Sequence, residues 1–384
     1  MSDAIINFLD SRLDSYINEL TELSGTDSYS YDRDDVNNVV DWLESRLLKL
    51  GFVVQRHPQQ QAGDNLLATR VGTGSGRVML LGHSDTVFPR GTAAERPVTI
   101  ANDVIHGPGT CDMKAGLLTG IYAVEALDAI GFHNYGQISF LIVSDEEIDE
   151  RYSIPLIRSA SFGNDAVLTL EAARANGDIV TARKGVRSFT AEAFGKAAHS
   201  GVEPEKGASA IVALARRIIE LDVLTDYSTG VSVNVGVING GRLRNVVPDY
   251  AQIKFEARAY DYEKLDGVTE KILHLFEQSP IPGVTFKVEY EDVHPPMPRT
   301  PAIEALEVLT QRLATELGFE VKGASTGGAA DAAFAADEGV PVLDGLGPVG
   351  GLDHSPDEYI LKSSIVPRTA LLARLIMAIG RLGK

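Results

Sequence analysis

The chain has 384 residues, 44% of them hydrophobic, and carries 35 basic and 53 acidic side chains for a net charge of −18. That length exceeds one ordinary domain, and the apolar content supports a sizeable core and argues against disorder. A field this negative disfavours nucleic acid and anionic membranes as partners, and the one cysteine, Cys111, excludes an internal disulfide and any cysteine-based zinc site.

In chain order, the start MSDAIINFLD shows no basic segment followed by an apolar run, so no signal peptide is expected. No stretch of about 18 apolar residues is counted, so no membrane span is expected and the cytosol is the default location. Ile5, Leu9, Leu13, Ile17 and Leu20 recur at helical spacing, and Val36, Val39, Val40, Leu43, Leu47 and Leu48 form a second helical face closed by Gly51. RVMLLGHSD, QISFLIVSDEE and NDAVLTLEA then read as continuously apolar strands, interleaved with the helix KAGLLTGIYAVEALDAIG. Such strands imply a mostly parallel sheet buried on both faces.

From about residue 185 the texture alternates. VRSFTAEAFGK, VSVNVGVING, AQIKFEARAY and VTFKVEYED read as antiparallel strands, and two helical runs lie between them. HPPMPRTP (294–301) ends this unit, and helices near 301–317 and 363–382 with strand VPVLDG return to the α/β texture. The expected architecture is a discontinuous α/β domain (1–184 and 294–384) with an α+β, ferredoxin-like domain (185–293) inserted.

Polar groups follow each buried strand. RVMLLG runs into His83 and Asp85, QISFLIV into Glu146 and Glu147, AVLTL into Glu171, and PVLDGLG leads on to His354. Ligands bind beyond the carboxyl ends of strands in open α/β sheets, where polar groups escape burial within the strand. The Gly-rich HGPGTCDMKAG adds Asp112 just before a helix. Each element alone has an ordinary reading: a solvated loop histidine, a charged surface, a turn. Together, His83, Asp112, Glu147, Glu171 and His354 form a set suited to two divalent cations.

The combination GHSDTV, GPGTCDMKAG, VSDEE, TLEAA, KAAHSG and GLDHSPDEY resembles the dizinc peptidase family of carboxypeptidase G, aminoacylase, acetylornithine deacetylase and succinyl-diaminopimelate desuccinylase. Through SDEE and STGGAADAAFAA it looks nearest the glutamate carboxypeptidase branch. The resemblance implies two Zn2+ per chain, with Co2+ or Mn2+ as alternatives. Asp112 would bridge, His83 and Glu171 would hold one ion, and Glu147 and His354 the other. It implies Asp85 orienting His83, Glu146 as general base on a metal-bridging water, and a cis peptide bond after Asp112. In the inserted lid and dimerisation domain, His199 would reach into the partner's site of a homodimer; Asn245, Arg258 and Gly328 would bind substrate. The implied activity is metallo-carboxypeptidase hydrolysis of an amide bond to a C-terminal amino acid, an acidic one among the candidates, on a small peptide or N-acyl amino acid. An N-acyl-amino-acid deacylase or dipeptidase is the alternative. A non-catalytic peptide sensor is a weaker one, because Glu146 and all five ligands are present. A phosphoesterase lacks a phosphate-cradling loop. Ala115, the RKG at 183–185 and GGAAD depart from the family pattern.

Overall fold

The computed structural model describes residues 4–381. The predicted end of the last helix, at 382, lies outside them. The chain divides into two compact units: residues 1–181, 299–325 and 330–384 form the first, and 182–298 with 326–329 the second.

The first unit is built on a six-stranded sheet in the order Val53–His57, Asn65–Val71, Gln137–Val143, Arg77–His83, Ala166–Thr169, Val342–Leu343. The last four run parallel to one another, and the first two are antiparallel. Val78 to Leu81, Phe140 to Val143 and Ala166 to Leu168 are buried without a polar break, as a sheet covered on both faces requires. Helix Ala115–Ala129 is buried on nearly all sides. It lies so near the sheet that a side chain at Gly116 would come within 1.8 Å of the Leu170 carbonyl, so only glycine lets this helix approach the segment carrying Glu171.

Helix Lys362–Gly380 differs from expectation. It is long and apolar enough to cross a membrane by length and composition, a stretch that the sequence reading did not count; 67% of its 18-residue apolar window is buried in the protein. It packs on helices Ala4–Ser24, Ala115–Ala129 and Pro301–Glu316. Its Arg368, 2% exposed, donates to the carbonyls of Gly177, Gly345 and Gly347. A small antiparallel sheet, ordered Gly350–Gly351, Tyr359–Leu361, Val104–His106, Thr99–Ala101, lies near Asp112.

The second unit is a four-stranded antiparallel sheet, ordered Ser232–Gly240, Tyr250–Ala259, Gly185–Phe194, Thr285–His294, with helices Ala210–Asp222 and Tyr262–Glu277. The chain order βαββαβ on this strand order is ferredoxin-like. Alternation sorts the faces: Phe189, Ala191, Ile253, Phe255 and Ala257 join Leu214, Leu265 and Ile272 of the helices in one core.

Candidate metal centre

Three adjacent parallel strands of the first unit end on one edge. Arg77–His83 ends in His83 itself, Gln137–Val143 runs into residues 144–147, and Ala166–Thr169 runs through Leu170 to Glu171. The fourth expected strand end is not where His354 sits. Val342–Leu343 stops early, and His354 lies on the turn between Gly350–Gly351 and Tyr359–Leu361 of the small sheet, with φ of 62°. Asp112 occupies a tight turn, Thr110–Lys114, ahead of helix Ala115–Ala129, and the Asp112–Met113 peptide bond is cis, as the resemblance implied.

These segments converge on the Asp112 carboxylate. Its Oδ1 is 2.9 Å from His83 Nε2, and its Oδ2 is 3.1 Å from His354 Nε2. Glu171 Oε1 lies 3.5 Å from His83 Nε2, and Glu147 Oε2 lies 3.0 Å from His354 Nε2. One carboxylate thus serves two donor triads, His83–Asp112–Glu171 and Asp112–Glu147–His354, each with ligand atoms within 4.8 Å of one another.

The hydrogen bonding decides what these contacts mean. His83 Nδ1 lies 3.0 Å from the Asp85 main-chain oxygen and 3.4 Å from its Oδ1. The Nδ1 proton is therefore donated to Asp85, and the Nε2 lone pair faces Asp112 and Glu171. The carbonyl is the nearer partner. The Asp85 carboxylate chiefly accepts from the backbone N–H groups of Glu146 and Glu147 at 3.3 Å each, tying the Glu146–Ile148 turn to the histidine strand. A nitrogen lone pair set against carboxylate oxygens repels unless a positive charge sits between them.

That positive charge is a proton or a metal. Burial pulls the His83 pKa down, but Asp112, Asp85 and Glu171 outweigh it and hold it well above the ordinary 6.5. Contacts with Asp112 and Glu147 push His354 up to about 10. Burial raises Asp112, but His354 and His83 outweigh it and bring it well below the usual carboxylate range. Burial raises Glu147 to about 7 and, with Asp112, raises Glu171. Glu147 Oε1 is buried with no hydrogen-bond partner. Tetrahedral metal–ligand bonds of about 2.0–2.1 Å put neighbouring ligand atoms roughly 3.3 Å apart. The observed 2.9–3.5 Å brackets that value. Nitrogen and carboxylate donors of this kind fit paired divalent cations.

Glu146, on the short turn Glu146–Ile148, has an oxygen within 4.8 Å of ligand atoms of both His83 and Glu147. It also belongs to a second acidic cluster with Glu150 and Asp331, which the sequence reading did not single out. Asp331 is 1% exposed and faces the Glu150 carboxyl, a second buried acid. Burial, with Glu150 and Asp331 adding like charge, raises Glu146 well above its ordinary value.

The remaining sequence candidates lie in the second unit. His199 and Asn245 come together there, since Ser200 N–H donates to the Asn245 carbonyl at 3.0 Å and His199 bridges Val246. His199 is exposed, and its Nδ1 accepts from Gly201 N–H at 3.1 Å, which leaves Nε2 to carry the proton. Arg258 and the Gly327–Gly328 turn also meet: Arg258 Nη1 donates to the Gly327 carbonyl at 2.9 Å, and Arg183 donates to the Gly328 carbonyl at 3.0 Å. Arg258 is not an idle fork, because Nε and Nη2 grip the Glu256 carboxylate at 2.8 and 3.0 Å. Burial, then the charge of Arg258, lowers the pKa of Lys184.

Residues 79–378 match the family model described as Peptidase family M20/M25/M40. Carboxypeptidase G2 of Pseudomonas sp. is 28% identical over 372 residues, 95% of this chain and 89% of that protein. Succinyl-diaminopimelate desuccinylase of Dechloromonas aromatica is 27% identical over 88% of this chain and 92% of its own length. The crystal structure of aminopeptidase PepT from Bacillus cereus superposes with a TM-score of 0.84 at 26% identity, covering 96% of this chain and 98% of that one.

Proposed function

We propose that this chain, which belongs to peptidase family M20/M25/M40 and is a metal-dependent hydrolase of amide bonds, is an exopeptidase that releases a C-terminal amino acid, acidic ones included, from small peptides or N-acyl amino acids. The observation that carries the reading is the Asp112 carboxylate set between His83 and His354 with one oxygen toward each. His83, Asp112 and Glu171 would hold one divalent cation, and Asp112, Glu147 and His354 the other, zinc being the best match to these donors.

Cations held there would polarise the scissile carbonyl and bring the pKa of a water toward neutrality. Asp85 fixes the His83 tautomer so that Nε2 faces the site. Glu146 takes a proton from the attacking water and returns it to the leaving nitrogen. Its raised pKa suits a group that must both accept and release a proton near neutral pH.

The second unit supplies recognition in this reading. His199 Nε2–H donates to the carbonyl oxygen as negative charge develops, acting in a partner's site within a cytosolic homodimer. Support for the dimer comes from strand Ser232–Gly240, a sheet edge with Val237 and Ile238 exposed, beside exposed Leu243, Val212 and Ile219. Arg258, with Asn245 and the Gly328 turn, takes the substrate carboxylate by exchanging it for Glu256. Arg258 and Glu256 are 29% and 33% exposed, and a pair so open to water contributes little, about 0–1 kcal/mol, so the exchange is cheap. Lys184 adds positive potential at the same place.

The test compares an N-acyl amino acid with its C-terminal amide on zinc-, cobalt- and manganese-loaded protein. A carboxylate clamp predicts a large loss on the amide, on the order of 2–5 kcal/mol in transition-state binding. Equal kcat/KM on both rules out the clamp and favours a general deacylase, the reading that the likeness to a desuccinylase supports.

A further inference from the structure

Glu358 is 1% exposed, on a segment that otherwise reads as surface, SPDEY. Its Oε1 accepts from the backbone N–H groups of Cys111 at 2.7 Å and Asp112 at 3.0 Å, and its Oε2 accepts from Gly109 N–H at 3.0 Å. Three backbone donors within residues 109–112 thus converge on one carboxylate. Burying a charge costs several kcal/mol unless it is well bonded, and charge-assisted hydrogen bonds of this kind are the strong ones.

The placement is set by the small sheet. Tyr359 pairs with His106, which puts Glu358 behind the glycine-rich turn that follows His106. Four residues upstream the same segment offers His354 to the front of Asp112. Residues 354–358 therefore hold Asp112 from both sides, by its carboxylate and by its backbone.

We propose that Glu358 is the positioning residue for Asp112, fixing the turn so that the Asp112 carboxylate lies midway between the two histidines. The inference rests on the paired-cation reading above. A glutamine could not replace it. Its amide has one acceptor oxygen, and its NH2 would face an N–H donor, so at least one of the three buried backbone groups would lose its partner.

The experiment titrates Co2+ into metal-free wild type, Glu358→Gln and Asp357→Asn, following d–d absorption and bound metal by elemental analysis. Asp357 is the exposed neighbour, so its variant removes the same charge without touching the turn. We expect Co2+ affinity to fall about 10–100-fold in Glu358→Gln, the usual cost of losing a partner behind a ligand, with Asp357→Asn matching wild type. Glu358→Gln titrating like wild type overturns the proposal. Wild type taking up fewer than two Co2+ per chain overturns the paired-cation reading instead, while the ratio between variant and wild type still tests Glu358. If Glu358→Gln does not fold, amide exchange of the metal-free wild type decides: slow exchange at residues 109, 111 and 112 is expected, and exchange as fast as in an open loop overturns the clamp.

Discussion

The second unit and the strand-end site of the first handle charge in opposite ways. In the second, acids and bases neutralise one another near the surface: Arg187 reaches Asp292 and Asp266, Lys264 holds Asp261, and Lys287 holds Glu289. At the strand ends and turns of the first, Asp112, Glu146, Glu147, Glu171 and Asp331 gather where their carboxyl groups meet imidazoles and other acids. A partly exposed ion pair is nearly neutral in energy, whereas buried like charges cost several kcal/mol each unless cations or protons are supplied. The comparison teaches where to look for chemistry: paired charge marks scaffold, and charge left uncompensated marks a site built for something that arrives later.

Glu146→Gln should break the first unit's chemistry and spare its charge trap. Turnover should fall about 10²–10⁴-fold, the contribution of a positioned base, with metal content by elemental analysis unchanged; a near-normal rate would remove Glu146 from the base role. The second unit's part is sharpened by mixing. On the proposed action in trans, chains carrying His199→Ala and chains carrying Glu146→Ala should each be inactive and recover activity together, because a mixed dimer would hold one site with both residues intact. No recovery after verified subunit exchange counts against action in trans.

The smallest effect is on stability. In the metal-free protein Glu147 and Glu150 titrate at about 7 and about 8 against an ordinary 4.5, both raised first by burial. The folded form then keeps protons that the unfolded chain has released, so metal-free stability is greatest below about pH 4.5 on their account and declines as pH rises through 7 to 8. His354, raised to about 10 by Asp112 and Glu147, adds to the decline, its contribution being full below about 6.5 and lost as pH rises to its folded value. Asp112 is shifted down and acts below 3.8. Thermal unfolding should give a lower Tm at pH 8.5 than at pH 5.5, and divalent cations should reverse the order by replacing the protons. A metal-free Tm that rises across this range would contradict the assignment of these buried acids.

The strand ends were legible because unbroken apolar runs such as VMLLG and ISFLIV can only be buried, and the first polar residue after each must emerge at the edge. The faces of AQIKFEARAY were legible from alternation alone, which puts Glu256 and Arg258 on one side and makes a surface salt bridge the ordinary reading of Arg258; the structure identifies Glu256 as the partner. His354 was assigned to a strand end that Val342–Leu343 does not reach, because a two-residue strand leaves no periodicity. Asp331 hides in an alanine run, and Glu150 in an acidic stretch that resembles surface. Glu358 was out of reach for a different reason: its partners lie 246 to 249 residues away, and only the pairing of Tyr359 with His106 brings them together.

A chain with one cysteine has no covalent way to fasten distant segments to each other. Asp112 and His354 stand 242 residues apart in sequence, and ions shared between them would act as a removable staple. Ions that bind the folded site and not the open chain would stabilise the fold by mass action, about 4 kcal/mol at a free concentration of a thousand times their Kd. The bond that prepares the enzyme for its substrate would then also slow its own unravelling, and a cell short of the metal would lose the protein along with the activity.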